Sequence, residues 1–217
     1  MNGQIKTIIQ CDFDGTLTRD DIGFTLLDEF ARPEWRITLE QYKAGRITVG
    51  QFNSIVFRMI EADKSELLDY VRRRDVSLRP GFTELLAGCR RRGIEFIIVS
   101  NGWDFYIDYI MKNLNLSEVP VRASVTSFDH GQRTARYLGP DGKELQVGFK
   151  EAYSRLFLDR GYRVIYVGNG ISDAPAACLA HHVFAVDDLK DYFESRNYAC
   201  YPFQDMHDIE RKLDHLA

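Results

Sequence analysis

Asp12 and Asp14, one residue apart in "CDFDGTLT", are the pair in this chain whose type and spacing point most directly to chemistry. Crowded carboxylates raise one another's pKa, and a hard divalent cation such as Mg2+, which prefers oxygen ligands, relieves that repulsion. Such a site suits phosphate chemistry, because the cation neutralises an incoming phosphate and leaves one carboxylate free to attack phosphorus. Gly15 lets the backbone turn sharply, so that the amides after it can face an anion. Taken alone, "DFDG" also has a lesser reading, a capped turn with solvated acids. Two further polar clusters follow apolar runs: Ser100 and Asn101 in "IIVSNG", and Asn169 and Asp173 in "YVGNGISD".

The elements around these residues decide whether they meet. "IKTIIQCD", from Ile5 to Asp12, reads as a short buried strand. From about Asp20 to Val76 the apolar spacing is helical; Pro33 and Gly45 punctuate it, and Thr48 is placed to cap the third helix. Alternation then resumes: a helix over Phe82 to Arg92, a strand over Ile94 to Ser100, and a helix over Trp103 to Leu114. Two strands, "VRASVTSF" and "QRTARYL", are joined by a turn at Asp129 to Gly131. A helix over Phe149 to Asp159, the strand "RVIYVG", a helix over Ser172 to Ala180, the strand "VFAV" and two final helical stretches complete the chain. The fold class expected is α/β: a Rossmann-like, mostly parallel sheet with helices on both faces and a helical insert after the first strand. Ligands bind beyond the carboxyl ends of such strands, which is where the polar clusters fall.

With 217 residues, 45% hydrophobic and 28% charged, the chain has the composition of one substantial globular domain or a core with a small insert. A net charge of −4 gives no general reason to bind nucleic acid. The runs Arg72 to Arg74 and Arg90 to Arg92 each close a helical pattern, where cations suit the helix dipole. Cys11, Cys89, Cys178 and Cys200 lack metal-finger spacing and read as reduced, mostly buried thiols. No apolar run is long enough for a membrane span or a secretory leader, so a cytoplasmic location is the expectation. The five histidines do not cluster with the polar strand ends.

"DFDGTLT", "IIVSNG", Lys150 in "GFKEAY" and "YVGNGISD" resemble, in order, the four motifs of the haloacid dehalogenase superfamily. The resemblance implies that Asp12 is the nucleophile, forming an aspartyl-phosphate, and that Asp14 protonates the leaving oxygen and then activates water. It implies phosphate contacts from Ser100, Thr16 and the amides of Gly15 and Asn101, and charge balance from Lys150. Lys143, the rival lysine, sits in a turn too far before the fourth motif. Mg2+ would be held by Asp12, Asp14 and position 169, with Asp173 supporting its waters. Relatives carry an acid at position 169, so Asn169 also admits a weakly active or inactive phosphate-ester binding protein. The second acid, Asp14, points to phosphate-ester chemistry rather than dehalogenation.

The insert resembles the small helical cap of the phosphoserine phosphatase-like branch, implying a cap at residues 19–77 over a core of residues 1–18 and 78–217. Within that branch "PEW", "ASVTSFD" and "YPFQD" are most similar to the methionine-salvage phosphatases acting on 2-hydroxy-3-keto-5-methylthiopentenyl-1-phosphate. Phosphoserine or another small-alcohol phosphate is the alternative substrate. Asp21 reads as a substrate contact or a helix cap, and Arg58 as a substrate contact or an exposed helical residue. Trp35 and Phe57 read as pocket lining or core. The partner expected is a small phosphorylated metabolite, with neither nucleic acid nor membrane, and the protein a monomer or homodimer.

Overall fold

A computed structural model describes residues 6–129 and 132–216. The first strand, β1 (Thr7–Cys11), lies inside an eight-stranded sheet, and all five of its residues are buried. Strands β2 (Ile94–Trp103) and β3 (Val121–Ser127) extend the sheet in parallel on one side, followed by the antiparallel β4 (Thr134–Leu138) and β5 (Glu144–Leu145). On the other side come β6 (Arg163–Gly168), β7 (His182–Ala185) and β8 (Tyr201–Pro202), all parallel. Burial on both faces explains why β1 reads as a continuous apolar run. Cys11 pairs with Ile98 of β2 and Val167 of β6, so the three strands end at one level. The chain runs outward from β1 in one direction and later returns to its other side, which makes the end of β1 the switch point where a crevice opens.

Four helices lie between β1 and β2 in the chain: α1 (Ile22–Phe30), α2 (Trp35–Lys43), α3 (Val49–Arg58) and α4 (Lys64–Arg73). Thr48 with Gln51, and Asp63 with Glu66, form capping boxes at the starts of α3 and α4. An antiparallel bridge between Thr18 and Leu78 joins the two ends of the insert. One hydrophobic core runs from Ile9 and Ile98 in the sheet to Leu27, Trp35 and Phe57 in the insert. The remaining helices are α5 (Phe82–Arg92), α6 (Asp104–Asn113), α7 (Phe149–Asp159), α8 (Ala174–Ala177), α9 (Asp187–Ser195) and α10 (Met206–Lys212). Both arginine runs sit at helix C-termini, Arg72 and Arg73 in the last turn of α4 and all of Arg90 to Arg92 in that of α5.

Several expectations differ from the structure. β2 does not stop at Ser100 but resumes to Trp103, with its register against β3 broken between Val99 and Trp103. The helix expected over Ser172 to Ala180 is a 3-10 turn at Ile171–Asp173 followed by the four-residue α8. Asp173 accepts from the amides of Asn169 and Gly170, which tightens the start, and Ala180 N–H bonds back to Ala177, which closes the end. Strands β5 and β8 have two residues each, too few to leave a periodic signal. Cys178, just beyond α8, is exposed rather than buried. Ile5, and residues 130 and 131 of the expected hairpin turn, lie outside the described residues. Among the described residues no helix is long and apolar enough to cross a membrane.

Candidate active site

Asp12 follows β1 directly, and its N–H bonds to Val167 O at 2.9 Å, which fixes the nucleophile candidate against the end of β6. Lys150, the second residue of α7, is buried with its Nζ 2.8 Å from Asp12 Oδ1 and 2.5 Å from Asp173 Oδ1. Its backbone is held by the same strand: Gln10 Nε2 donates to Lys150 O at 2.9 Å, while Ser154 Oγ donates to Gln10 Oε1 at 2.8 Å. Asp173 is fully buried and also accepts from Tyr166 OH at 2.7 Å and from the amides of Asn169 and Gly170 at 3.1 and 2.9 Å. Those four donors occupy its carboxylate, so it anchors Lys150 and the Asn169 loop. Lys143 is exposed and pairs with Asp141.

Burial, and then the charge of Asp173, push the Asp12 pKa up to about 7, with Lys150 opposing. Burial also works against the Lys150 ammonium, yet Asp12 and Asp173 together raise its pKa above the ordinary value. Asp14 is pushed well above the usual carboxylate range by burial first and the charge of Asp21 second. That is the direction a group needs if it is to carry a proton near neutral pH. Its Oδ1 accepts from Ile22 N at 2.9 Å and its Oδ2 from Tyr106 OH.

The loop after Asp12 turns at Gly15, whose φ is +72° and whose Cα faces the Asn169 side chain; a Cβ there would overlap that amide. Thr16 Oγ1 donates to Asn169 Oδ1 at 3.0 Å. Arg79 fixes the loop from behind, its Nε, Nη2 and Nη1 donating to Thr16 O, Gly15 O and Gln204 O at 2.8, 2.9 and 3.0 Å. Ser100 Oγ accepts from Gly102 N at 2.9 Å, and this small turn is the break in β2. Asn101 O accepts from Tyr137 OH at 2.7 Å and from Asn53 Nδ2 of α3 at 3.2 Å.

Asp12, Asp14, Asp21, Ser100, Asn101, Lys150 and Asn169 all line one cleft of about 570 Å3. Its other wall comes from the insert and is mostly apolar, with Phe24, Leu27, Leu39, Phe52 and Val56 beside the polar Tyr42, Lys43 and Asn53. Asp21 caps α1 through Phe24 N at 2.7 Å. Arg58 is exposed at the end of α3 and is not among the cleft residues, while Trp35 and Phe57 are buried in the core. Among the described residues no group of three or more His, Cys, Asp or Glu is placed to hold a metal. A cation here therefore relies on amide or carbonyl oxygen as well, and an Asp12 carboxylate with Asn169 Oδ1 and main-chain carbonyl is an all-oxygen set suited to a hard ion. The sequence reading did not single out Asn53, Arg79 or the hydroxyl of Tyr106; their only signal was that each lies in or beside a motif or the insert.

The pattern of the haloacid dehalogenase-like hydrolase family, HAD, matches residues 9–177. The chain belongs to that family. Two relatives of this hydrolase, from Exiguobacterium sibiricum and Brevibacillus brevis, are 33% and 28% identical to it. The alignments cover 96% and 97% of the chain and 95% and 96% of the relatives, and both bear the name 2-hydroxy-3-keto-5-methylthiopentenyl-1-phosphate phosphatase. Among solved structures, a phosphoserine phosphatase from T. onnurineus superposes with a TM-score of 0.70 at 18% identity, covering 97% of this chain and 96% of that one. A phospho-aspartyl intermediate analogue of phosphoserine phosphatase gives 0.69 at 16%, covering 98% and 99%. At those identities the likeness is one of fold, which is the HAD Rossmann-like α/β architecture.

Proposed function

We propose that this hydrolase is a Mg2+-dependent phosphomonoesterase acting on a small phosphorylated metabolite through an aspartyl-phosphate on Asp12. The observation that carries the reading is the buried Lys150 bridging Asp12 and Asp173 at the end of β1, with Asp14 raised in pKa across the same cleft. Asp12 Oδ2, the Asp14 carbonyl and Asn169 Oδ1 would hold Mg2+, which when bound screens the negative charge of the phosphate. A carboxylate oxygen of Asp12 attacks phosphorus; the bond to the leaving oxygen breaks as that oxygen takes the Asp14 proton. Water then attacks the phosphorus of the aspartyl-phosphate, Asp14 takes the water's proton, and phosphate leaves with Asp12 restored. Ser100 and the Asn101 amide, which line the cleft, hold the phosphate oxygens, whereas the expected contacts from Thr16 and the Gly15 amide do not fit, since Thr16 Oγ1 donates to Asn169 Oδ1 and Gly15 N to Asp20 O. Lys150 balances the charge at Asp12 throughout.

The insert, residues 19–77, serves as a cap over the core of residues 1–18 and 78–217, and the Thr18–Leu78 bridge supports that division. Its apolar wall favours an uncharged substrate tail, as in the methylthiopentenyl phosphate named for the relatives, over phosphoserine, whose carboxylate needs a cation. Lys150 is already paired, and the one other lysine lining the cleft among the described residues, Lys43, sits at its exposed edge 3.5 Å from Glu40. Purified protein is expected to hydrolyse p-nitrophenyl phosphate with Mg2+, and to lose that activity with EDTA and in Asp12→Asn. Turnover that is metal-independent and survives the substitution overturns the proposal. A panel of phosphorylated metabolites, phosphoserine included, then tests the apolar-tail preference.

A further inference from the structure

Tyr106 stands outside the catalytic set, yet it donates one of the two hydrogen bonds that the Asp14 carboxyl accepts. It lies on α6, is fully buried, and donates its hydroxyl to Asp14 Oδ2. Its ring is enclosed by Phe13, Trp103 and Phe105 at centroid distances of 6.4, 6.3 and 5.5 Å. Gly102, on the Ser100 turn, clears space for the hydroxyl: a Cβ there would overlap both the Tyr106 hydroxyl and Asp14 Oδ2. The phenol thus passes between the end of β2 and the start of the insert to reach one carboxyl oxygen, while Ile22 N takes the other at 2.9 Å.

We infer that Tyr106 is a positioning residue for phosphoester cleavage, clamping the Asp14 carboxyl in the rotamer that faces the leaving oxygen. A carboxyl with a donor at each oxygen cannot turn about its Cβ–Cγ bond without breaking a hydrogen bond; with Ile22 N alone it swings. The inference rests on Asp14 being the acid of the proposed function. It also assigns a use to Gly102, since a larger residue there cannot coexist with this contact.

The test compares two substrates that differ in their need for a proton. The alkoxide of an alkyl phosphate is too basic to leave unprotonated and departs as the alcohol with the proton of Asp14, whereas nitrophenolate departs without protonation. Tyr106→Phe keeps the ring and its packing and removes only the hydroxyl. It is expected to lower kcat/KM for an alkyl phosphate by about tenfold, the worth of one hydrogen bond to an ionisable group, and that for p-nitrophenyl phosphate by less than about twofold. A structural role lowers both by one factor, and that result overturns the inference. The second measurement is a double-mutant cycle with alkyl phosphate: on an Asp14→Asn background Tyr106→Phe costs nothing further, because the group it aims is gone. Independent, multiplying losses overturn the inference even where Tyr106→Phe is poorly folded. If Asp14→Asn alone leaves alkyl-phosphate turnover intact, the acid assignment itself fails, and the role of Tyr106 falls with it.

Discussion

Replacing Lys150 with Met tests the electrostatic arrangement of the site most directly. The lysine is 4% exposed and its ammonium is the shared partner of Asp12 and Asp173, the latter wholly buried. Removing one member of a buried ionic group costs roughly 3 to 5 kcal/mol, because an uncompensated charge stays behind. With a urea dependence of about 2 kcal/mol/M, the unfolding midpoint falls by about 2 M. The loss depends on pH in a direction set by Asp12. Its folded pKa of about 7 lies above the ordinary carboxylate value, so in metal-free protein its share of stability is present at low pH and lost as pH rises through 7. At pH 5 Asp12 is protonated with or without Lys150, and the variant lacks only the partner of Asp173. At pH 8 the wild type carries two carboxylates around one ammonium, whereas Lys150→Met must keep a proton on Asp12 or leave two carboxylates facing each other. Urea melts in EDTA should therefore show a larger destabilisation at pH 8 than at pH 5. With Mg2+ present, turnover of the variant relative to wild type should climb from pH 7 to 9 as its nucleophile deprotonates. A loss below about 1 kcal/mol, or one equal at both pH values with a flat activity ratio, refutes the reasoning.

Two further substitutions probe other parts of the site. Asn169→Asp supplies a negative oxygen where Asn169 Oδ1 now accepts from Thr16, and should lower the Mg2+ concentration giving half-maximal turnover; an unchanged Mg2+ dependence removes position 169 from the ligand set. Asn53→Leu removes the amide that donates to Asn101 O and Tyr137 OH and accepts from Trp103 Nε1, leaving the indole N–H unpaired. The expected cost is about 1 to 3 kcal/mol in a thermal or urea melt, with a raised KM as the Asn101 loop loosens; a KM and midpoint equal to wild type contradict that.

The strand ends were legible because polar residues closing apolar runs are a local signal, and parallel order then brings Asp12, Ser100 and Asn169 to one level. Helices α5 and α7 have the bounds that their periodicity predicts, and left-handed glycines, Gly81, Gly93 and Gly148, stand at three of their four ends. The break in β2 was not legible, since it depends on Ser100 Oγ meeting Gly102 N rather than on residue type. Asn53, Arg79 and the hydroxyl contact of Tyr106 were missed for a related reason. The partners of Asn53, Tyr106 and Arg79 lie 48, 92 and up to 125 positions away, and no spacing rule links residues at that distance. Arg58 shows the converse: helical position alone does not say which face meets the cleft, and α3 presents Asn53 and Val56 there instead.

The guanidinium of Arg79 ties the nucleophile loop to a part of the chain outside the motifs. All four motifs lie between Asp12 and Asp173, but one of the three carbonyls that seat Arg79 belongs to Gln204, and the ring over its guanidinium is Phe203, 5.6 Å away. A change at Phe203 or Gln204 thus reaches the loop of Gly15 and Thr16 without touching any of the four motifs, because the arginine that braces the loop is itself seated by residues beyond the fourth.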